Sequence, residues 1–175
     1  MLPTLIKTSF FEDPQEIINY SKKIKWIKST NNDNWPGYRS DNLFYINKKL
    51  HDYIIDEIVQ LYFRGKQVQI GSTKIQFHKI SYEDWLSHNR KNTRIHKDFT
   101  DLAGIIYLNK NTNNLKTGTS IYDEEKQTIC QISNNFNTLA CYDGNHYHGA
   151  TGLDKNERLT IVIFLNEIRI FGKWP

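Results

Sequence analysis

Residues 158–165 read Arg158-Leu159-Thr160-Ile161-Val162-Ile163-Phe164-Leu165. From Leu159 onward this is a strongly β-prone run, entered from the polar turn Asp154 to Glu157. The rest of the second half keeps a period of two. Val68/Ile70, Ile75/Phe77, Ile105/Tyr107, Ser120/Tyr122 and Leu139/Cys141 alternate with polar or small neighbours. Turn residues at Gly71-Ser72, Asn111 to Asn114, Asp143-Gly144-Asn145 and Gly152 punctuate these runs, and Asn109 to Gly118 reads as a loop. The first half has the helical period instead. Asp13-Pro14-Gln15-Glu16 is a helix start, with Asp as N-cap, Pro at the first helical position and Glu at the third. Ile17, Ile18, Tyr20 and Ile24 follow at helical spacing, and the helix is expected to end before the polar loop Ser29 to Asn34. The basic cluster Lys22-Lys23-Ile24-Lys25 then reads as a solvated helix face. A second helix is predicted from Lys48 to Phe63, on the stripe Leu50, Ile54, Ile55, Ile58 and Leu61, with Gly65 placed to end it. Helices first and many short strands afterwards indicate an α+β chain: a sandwich or jelly roll with the N-terminal helices packed on one face.

Composition narrows the classes. The 175 residues are 38% hydrophobic, 24% charged and 13% aromatic, which describes one globular domain and excludes a disordered chain. The expected division within residues 1–175 is a helical part over about 1–65 and a β core over about 66–170. The longest strongly apolar run, Ile161 to Leu165, is far short of the roughly 20 residues of a membrane span. Residues 1–10, MLPTLIKTSF, lack a basic segment followed by an apolar one, so a cytoplasmic protein with no membrane partner is expected. A net charge of +4 from 23 basic and 19 acidic residues is too mild to argue for nucleic acid. Cys130 and Cys141 form neither a metal motif nor a disulfide framework and read as apolar residues of a reducing compartment.

Chemistry concentrates in Arg94-Ile95-His96-Lys97-Asp98. On a strand, His96 and Asp98 share a face and can reach one metal ion. His148 heads a later strand, after the turn Asp143-Gly144-Asn145. Arg158 lies ten residues further on, and Thr160 shares its face. Two imidazoles and one carboxylate are the ligand set of non-haem Fe(II) oxygenases, which leaves coordination positions open. A fixed, bidentate Arg suits the far carboxylate of a chelating oxo-acid. His146 shares the face of His148 and competes with it. The spacing to Arg158 and the context Tyr147-His148-Gly149 favour His148, leaving His146 as a neighbour or substrate contact. Arg39, in the aromatic stretch Trp35-Pro36-Gly37-Tyr38, and Arg94, on the face of His96, are further candidates for substrate contact. His51, His78 and His88 have no partners at ligand spacing and read as surface or internally satisfied residues.

As a set, His96-X-Asp98, His148 and Arg158-X-Thr160 resemble the Fe(II)/2-oxoglutarate-dependent dioxygenases, whose fold is the double-stranded β-helix, a jelly roll. Ile105-Ile106-Tyr107-Leu108-Asn109-Lys110 resembles the strand after the metal motif in prolyl hydroxylases. Gly118 to Tyr122 and Phe136-Asn137-Thr138-Leu139 stand where that family has its next conspicuous strands. Phe10 to Pro14 and Trp35 to Ser40 look like a phage and bacterial branch of the same superfamily. The resemblance implies Fe(II) on His96, Asp98 and His148, with 2-oxoglutarate and O2 as cosubstrates. It also implies that Arg158, Tyr107 and Thr160 hold the distal carboxylate. Oxidative decarboxylation would then give succinate and CO2 while a substrate, prolyl, peptidyl or a small amino-acid-like molecule, is hydroxylated. The presence of Asp98 argues against a halogenase, in which that ligand position is left open. The alternative is a non-catalytic jelly-roll domain that binds metal or a protein partner.

Overall fold

In a computed structural model, residues 2–30, 33, 35–89, 95–110, 117–153 and 157–173 are described, with backbone alone at 88, 89 and 173. Strand β1 (Leu5–Lys7) precedes helix α1 (Pro14–Ser21). The Asp13 carboxylate accepts from the backbone N–H groups of Gln15 and Glu16, so the predicted cap is formed. The helix stops earlier than its apolar spacing suggests. Lys23 N–H donates back to Tyr20 C=O, the Ser21 hydroxyl to Ile18 C=O, and the Trp26 indole N–H to Ser21 C=O. Lys22 to Lys25 therefore lies in the turn beyond the helix, not on it. Ile24 still packs against the core, which is why the spacing ran on.

Strands β2 (Ile27–Lys28) and β3 (Tyr38–Arg39) and helix α2 (Leu43–Ile46) lead to α3 (Lys48–Phe63), whose bounds match the sequence reading. Leu50, Ile54 and Ile58 face inward, and Gly65 follows at φ 75°. Strand β4 (Lys66–Ile80) is continuous, so Gly71-Ser72 is not a turn. A side chain at 71 would meet the Glu167 Cβ at 2.7 Å. The glycine is there for a close approach within a strand. Helix α4 (Tyr82–Asn89) follows, then β5 (Leu102–Tyr107), β6 (Gly118–Tyr122), β7 (Thr128–Ser133), β8 (Thr138–Tyr142), β9 (Tyr147–Thr151) and β10 (Arg158–Lys173). Of the expected loop Asn109 to Gly118, residues 111–116 lie outside the described residues.

The strands form two antiparallel sheets, β1-β8-β5-β10-β4-β3-β2 and β7-β6-β9. The first half is thus not purely helical, since β1 closes one edge of the large sheet and β2-β3 the other. Strands of two or three residues are too short for alternation to reveal them. The large sheet is buried on both faces. Ile75, Phe77, Leu102, Ile106, Leu139, Cys141, Ile161, Ile163 and Leu165 form one core with Leu50, Ile54 and Ile58 of α3. Ala103, Ile105, Tyr107, Ala140 and Tyr142 form another with Ile121 and Ile132 of the small sheet. The order is helices, large sheet, small sheet, which is the α+β jelly roll with helices on one face. Cys130 and Cys141 are free, the latter buried. No helix among the described residues is long and apolar enough to cross a membrane.

Candidate metal centre and its cavity

The site begins with a turn. Gly144 lets Asp143-Gly144-Asn145 approach the chain near Thr100, since a side chain at 144 would lie 2.1 Å from the Thr100 hydroxyl. Asp98 N–H donates to Gly144 C=O at 3.0 Å. His96 and His148 then exchange backbone hydrogen bonds, each 2.9 Å, as an isolated bridge. The spacing predicts a strand over His96 and Asp98, but they lie outside any regular strand. This single bridge to β9 and the bond to the turn set their common side.

The result is a close group. Ligand atoms of His96, Asp98 and His148 all lie within 4.8 Å of one another. His148 Nε2 is 3.0 Å from Asp98 Oδ2, and His96 Nε2 is 3.4 Å from Asp98 Oδ1. His148 Nδ1 lies 2.9 Å from His146 C=O. If that nitrogen carries the proton, Nε2 keeps its lone pair for a metal. Tyr142 packs its ring 4.8 Å from that of His148. Burial alone would push the Asp98 carboxyl up, but the hydrogen bonds and charge of His148 and His96 outweigh it and hold the group well below the usual carboxylate range. An ionised carboxylate between two imidazole nitrogens is a hard-and-borderline donor set suited to a divalent transition metal.

These residues open on a cavity of about 630 Å³ between the two sheets. Period two explains its far wall. On β10, Ile161, Ile163 and Leu165 face the helices, while Arg158, Thr160, Val162 and Phe164 face the cavity. Arg158 is 6% exposed. One guanidinium N–H donates to Gly118 C=O at 3.2 Å, and the group lies 5.4 Å from the Tyr107 ring. Its Nε is buried without a hydrogen-bond partner, and Arg158 has no ion pair among the described residues. Burial pushes its pKa down from the usual arginine value. Tyr107 is fully buried, and its hydroxyl donates to the Thr119 hydroxyl at 2.8 Å. Thr119 lines the cavity and Tyr107 stands behind it. The Thr160 hydroxyl, also on the wall, donates to His78 C=O at 3.3 Å.

The remaining candidates divide. Arg39 lines the cavity. His146 is not among the lining residues and stands outside the close group. Arg94 lies outside the described residues. Among the other histidines, His51 bonds Asp52 at 2.9 Å and Thr73 at 2.8 Å, a satisfied residue as expected. His78 bonds Pro36 C=O at 2.7 Å but also lines the cavity. The His88 side chain lies outside the description. Sequence reasoning missed Thr119, Tyr142 and Phe164. Alternation could have supplied Tyr142, because placing Leu139 and Cys141 on one face of β8 puts Ala140 and Tyr142 on the other.

A scan against protein-family models finds no match, and a search of curated proteins finds none. Solved structures do match. A prolyl hydroxylase from Trichoplax adhaerens, in complex with a peptide fragment of the hypoxia inducible factor oxygen degradation domain, superposes at TM-score 0.60 and 14% identity, over 93% of this chain and 83% of that one. A Pseudomonas putida prolyl-4-hydroxylase gives 0.58 and 10%, over 95% and 93%. A 2OG-Fe(II) oxygenase family oxidoreductase from Burkholderia pseudomallei gives 0.58 and 10%, over 93% and 84%. At such identities the likeness speaks for architecture: this chain has the double-stranded β-helix fold seen in prolyl hydroxylases and 2OG-Fe(II) oxygenases.

Proposed function

We propose that this chain, as a single domain acting in the cytoplasm, is an Fe(II)- and 2-oxoglutarate-dependent dioxygenase that hydroxylates a peptidyl or small amino-acid-like substrate. The observation that carries the reading is Arg158, a buried guanidinium with an unpartnered Nε on the wall of the cavity that His96, Asp98 and His148 line. A lone buried charge is costly unless something pairs with it. The distal carboxylate of a dianionic oxo-acid does so, and its other end can then reach the metal. The donor set and this unpaired cation both fit the pair of groups.

In this reading His96, Asp98 and His148 hold the iron, and Arg158 receives the distal carboxylate. The Tyr107–Thr119 hydroxyl pair and the Thr160 hydroxyl border that end and can turn toward it. Iron, 2-oxoglutarate and O2, once bound, supply the oxidising chemistry, with succinate and CO2 as co-products. The chain's own task is placement. Asp98 contributes the negative charge that favours the metal. His146 C=O orients the His148 ring. The large sheet and Tyr142 keep water from one side. Two of the neighbours are prolyl hydroxylases, one of them in complex with a peptide, which supports an amino-acid-like substrate here.

The test is an anaerobic titration of the Fe(II)-loaded protein with 2-oxoglutarate. A saturable visible charge-transfer band, lost in Arg158→Gln at the same concentrations, is the expected result. Iron bound without any band would refute the oxo-acid. No iron bound would refute the metal site.

A further inference from the structure

Resting on that reading, we infer that Arg39 is the anchor for a carboxylate on the molecule to be oxidised, so that the cavity takes two organic acids, one on each of two guanidinium groups. The register places Arg39 by direct pairing. Arg39 stands opposite His78, His78 opposite Thr160, and Thr160 opposite Tyr107. Residues directly opposite in an antiparallel sheet share a face. This row of four strands therefore faces the cavity side throughout. At about 4.8 Å per strand, Arg39 lies roughly 10 Å across the sheet from Thr160, clear of the carboxylate end assigned to Arg158.

Three observations say what Arg39 takes. Its Nε is buried without a hydrogen-bond partner, and it makes no ion pair among the described residues. Its guanidinium is stacked 4.6 Å from the Trp35 ring and lies 5.6 Å from that of Phe164. A stacked planar cation loses little freedom when it accepts a second, bidentate partner. The third observation is charge. With a divalent metal and a dianionic oxo-acid in place, Asp98 and the oxo-acid balance the metal and Arg158. Lys97 is already paired with Glu124. Of the two carboxylates whose charge Arg39 feels, Asp98 is already counted against the metal, and Asp33, half-buried, is bound to the Thr30 N–H and hydroxyl. Asp33 is shared with Lys74, a second cation in the field of Arg39, so positive charge remains at Arg39, and one carboxylate neutralises it.

The mouth describes the rest of the molecule. Trp35, Trp85 and Phe99 line it. Phe99 follows Asp98, is 79% exposed and sits at φ 54°. An exposed aromatic in a left-handed backbone is unfavourable unless something uses it. The substrate class is thus a small organic acid with an apolar or aromatic body, not an internal peptide segment.

The experiment is calorimetry on protein loaded with Mn(II) and 2-oxoglutarate. The probes are L-proline, L-phenylalanine, phenylacetate and indole-3-acetate, each against its carboxamide, together with an N-acetylated, C-amidated proline peptide. The expected result is that at least one acid binds about tenfold or more tighter than its amide. Arg39→Gln should weaken that acid about 30-fold or more while leaving Mn(II) and 2-oxoglutarate affinities within about twofold. Arg39→Lys, which keeps the charge but not the fork, should fall between, and it serves if the Gln variant does not fold. If 2-oxoglutarate binds but no acid is preferred over its amide, or the capped peptide binds equally well in both variants, this inference fails alone. If Arg39→Gln lowers metal or oxo-acid affinity, Arg39 orients Asp98 or holds the oxo-acid, and the inference is overturned. If wild type takes up no 2-oxoglutarate, the parent reading fails and this one falls with it.

Discussion

Replacing Arg158 by Met should make the ligand-free protein more stable and its 2-oxoglutarate binding far weaker. The guanidinium is buried, and burial lowers its pKa, a sign that its charge is poorly compensated there. Holding such an ion away from water costs several kcal/mol. Two contacts offset part of this. The hydrogen bond to Gly118 C=O is worth about 2 kcal/mol and the contact with the Tyr107 ring about 1 kcal/mol. Met fills similar volume with a flexible apolar chain. The balance is a gain of about 1 kcal/mol, or roughly 2 to 4 °C in Tm for a domain of this size. Binding moves the other way. Removing one partner of a buried charge pair costs about 3 to 4 kcal/mol, which is two to three orders of magnitude in Kd at about 1.4 kcal/mol per tenfold. Differential scanning calorimetry on metal-free protein reads the first effect, and anaerobic titration of the Fe(II) form reads the second. A fall in Tm would mean that the present contacts satisfy Arg158, and the argument from its vacancy would collapse. A Kd changed less than about tenfold would place the oxo-acid's carboxylate elsewhere.

Other substitutions test other parts. Asp98→Ala should abolish stoichiometric iron binding, read by metal analysis after desalting, while circular dichroism stays native; retained iron would break the ligand assignment. His148→Ala should lose the metal, whereas His146→Ala should keep it, because His146 acts on His148 through its backbone C=O, which alanine preserves; the reverse outcome in the same metal assay would exchange their roles. Gly37→Ala places a Cβ 2.3 Å from Lys79 C=O at φ 79°. It should cost about 3 kcal/mol of stability, or roughly 6 to 12 °C in Tm; a drop under about 2 °C would mean that β3 shifts freely against β4.

What could be read from the sequence was local. The Asp13 cap, the α3 stripe and the pairs His96/Asp98 and Arg158/Thr160 each depend on residues a few positions apart, and the set that joins them to His148 was legible only through its resemblance to a known family. What could not be read depends on pairing. Nothing at Gly71 announces that Glu167 lies against it, and a glycine followed by serine looks like a turn until β10 is laid beside β4. The bridge that sets His96 against His148 joins residues 52 positions apart through one pair of hydrogen bonds, without a strand on the His96 side. Thr119 escaped notice because its role is to accept from Tyr107, and β6 carries no polar pattern that singles it out.

The two-sided burial of the large sheet also explains why the N-terminal helices α1 to α3 matter to a site they do not line. Along β10 the residues alternate between the core shared with Leu50, Ile54 and Ile58 of α3 and the cavity wall. Ile161 and Ile163 flank Val162 and follow Thr160, so the helix-side packing fixes the height and pitch at which Arg158 and Thr160 meet the cavity. A strand cannot slip by one residue without exchanging its faces. Here that would bury Arg158 and Thr160 under the helices and turn Ile161 and Ile163 into the cavity. The cost of that exchange is several buried isoleucine and leucine side chains at about 2 kcal/mol each, with a guanidinium left in an apolar layer besides. The N-terminal helices therefore act as the register lock of the wall that carries Arg158 and Thr160 and, through β4 and β3, Arg39.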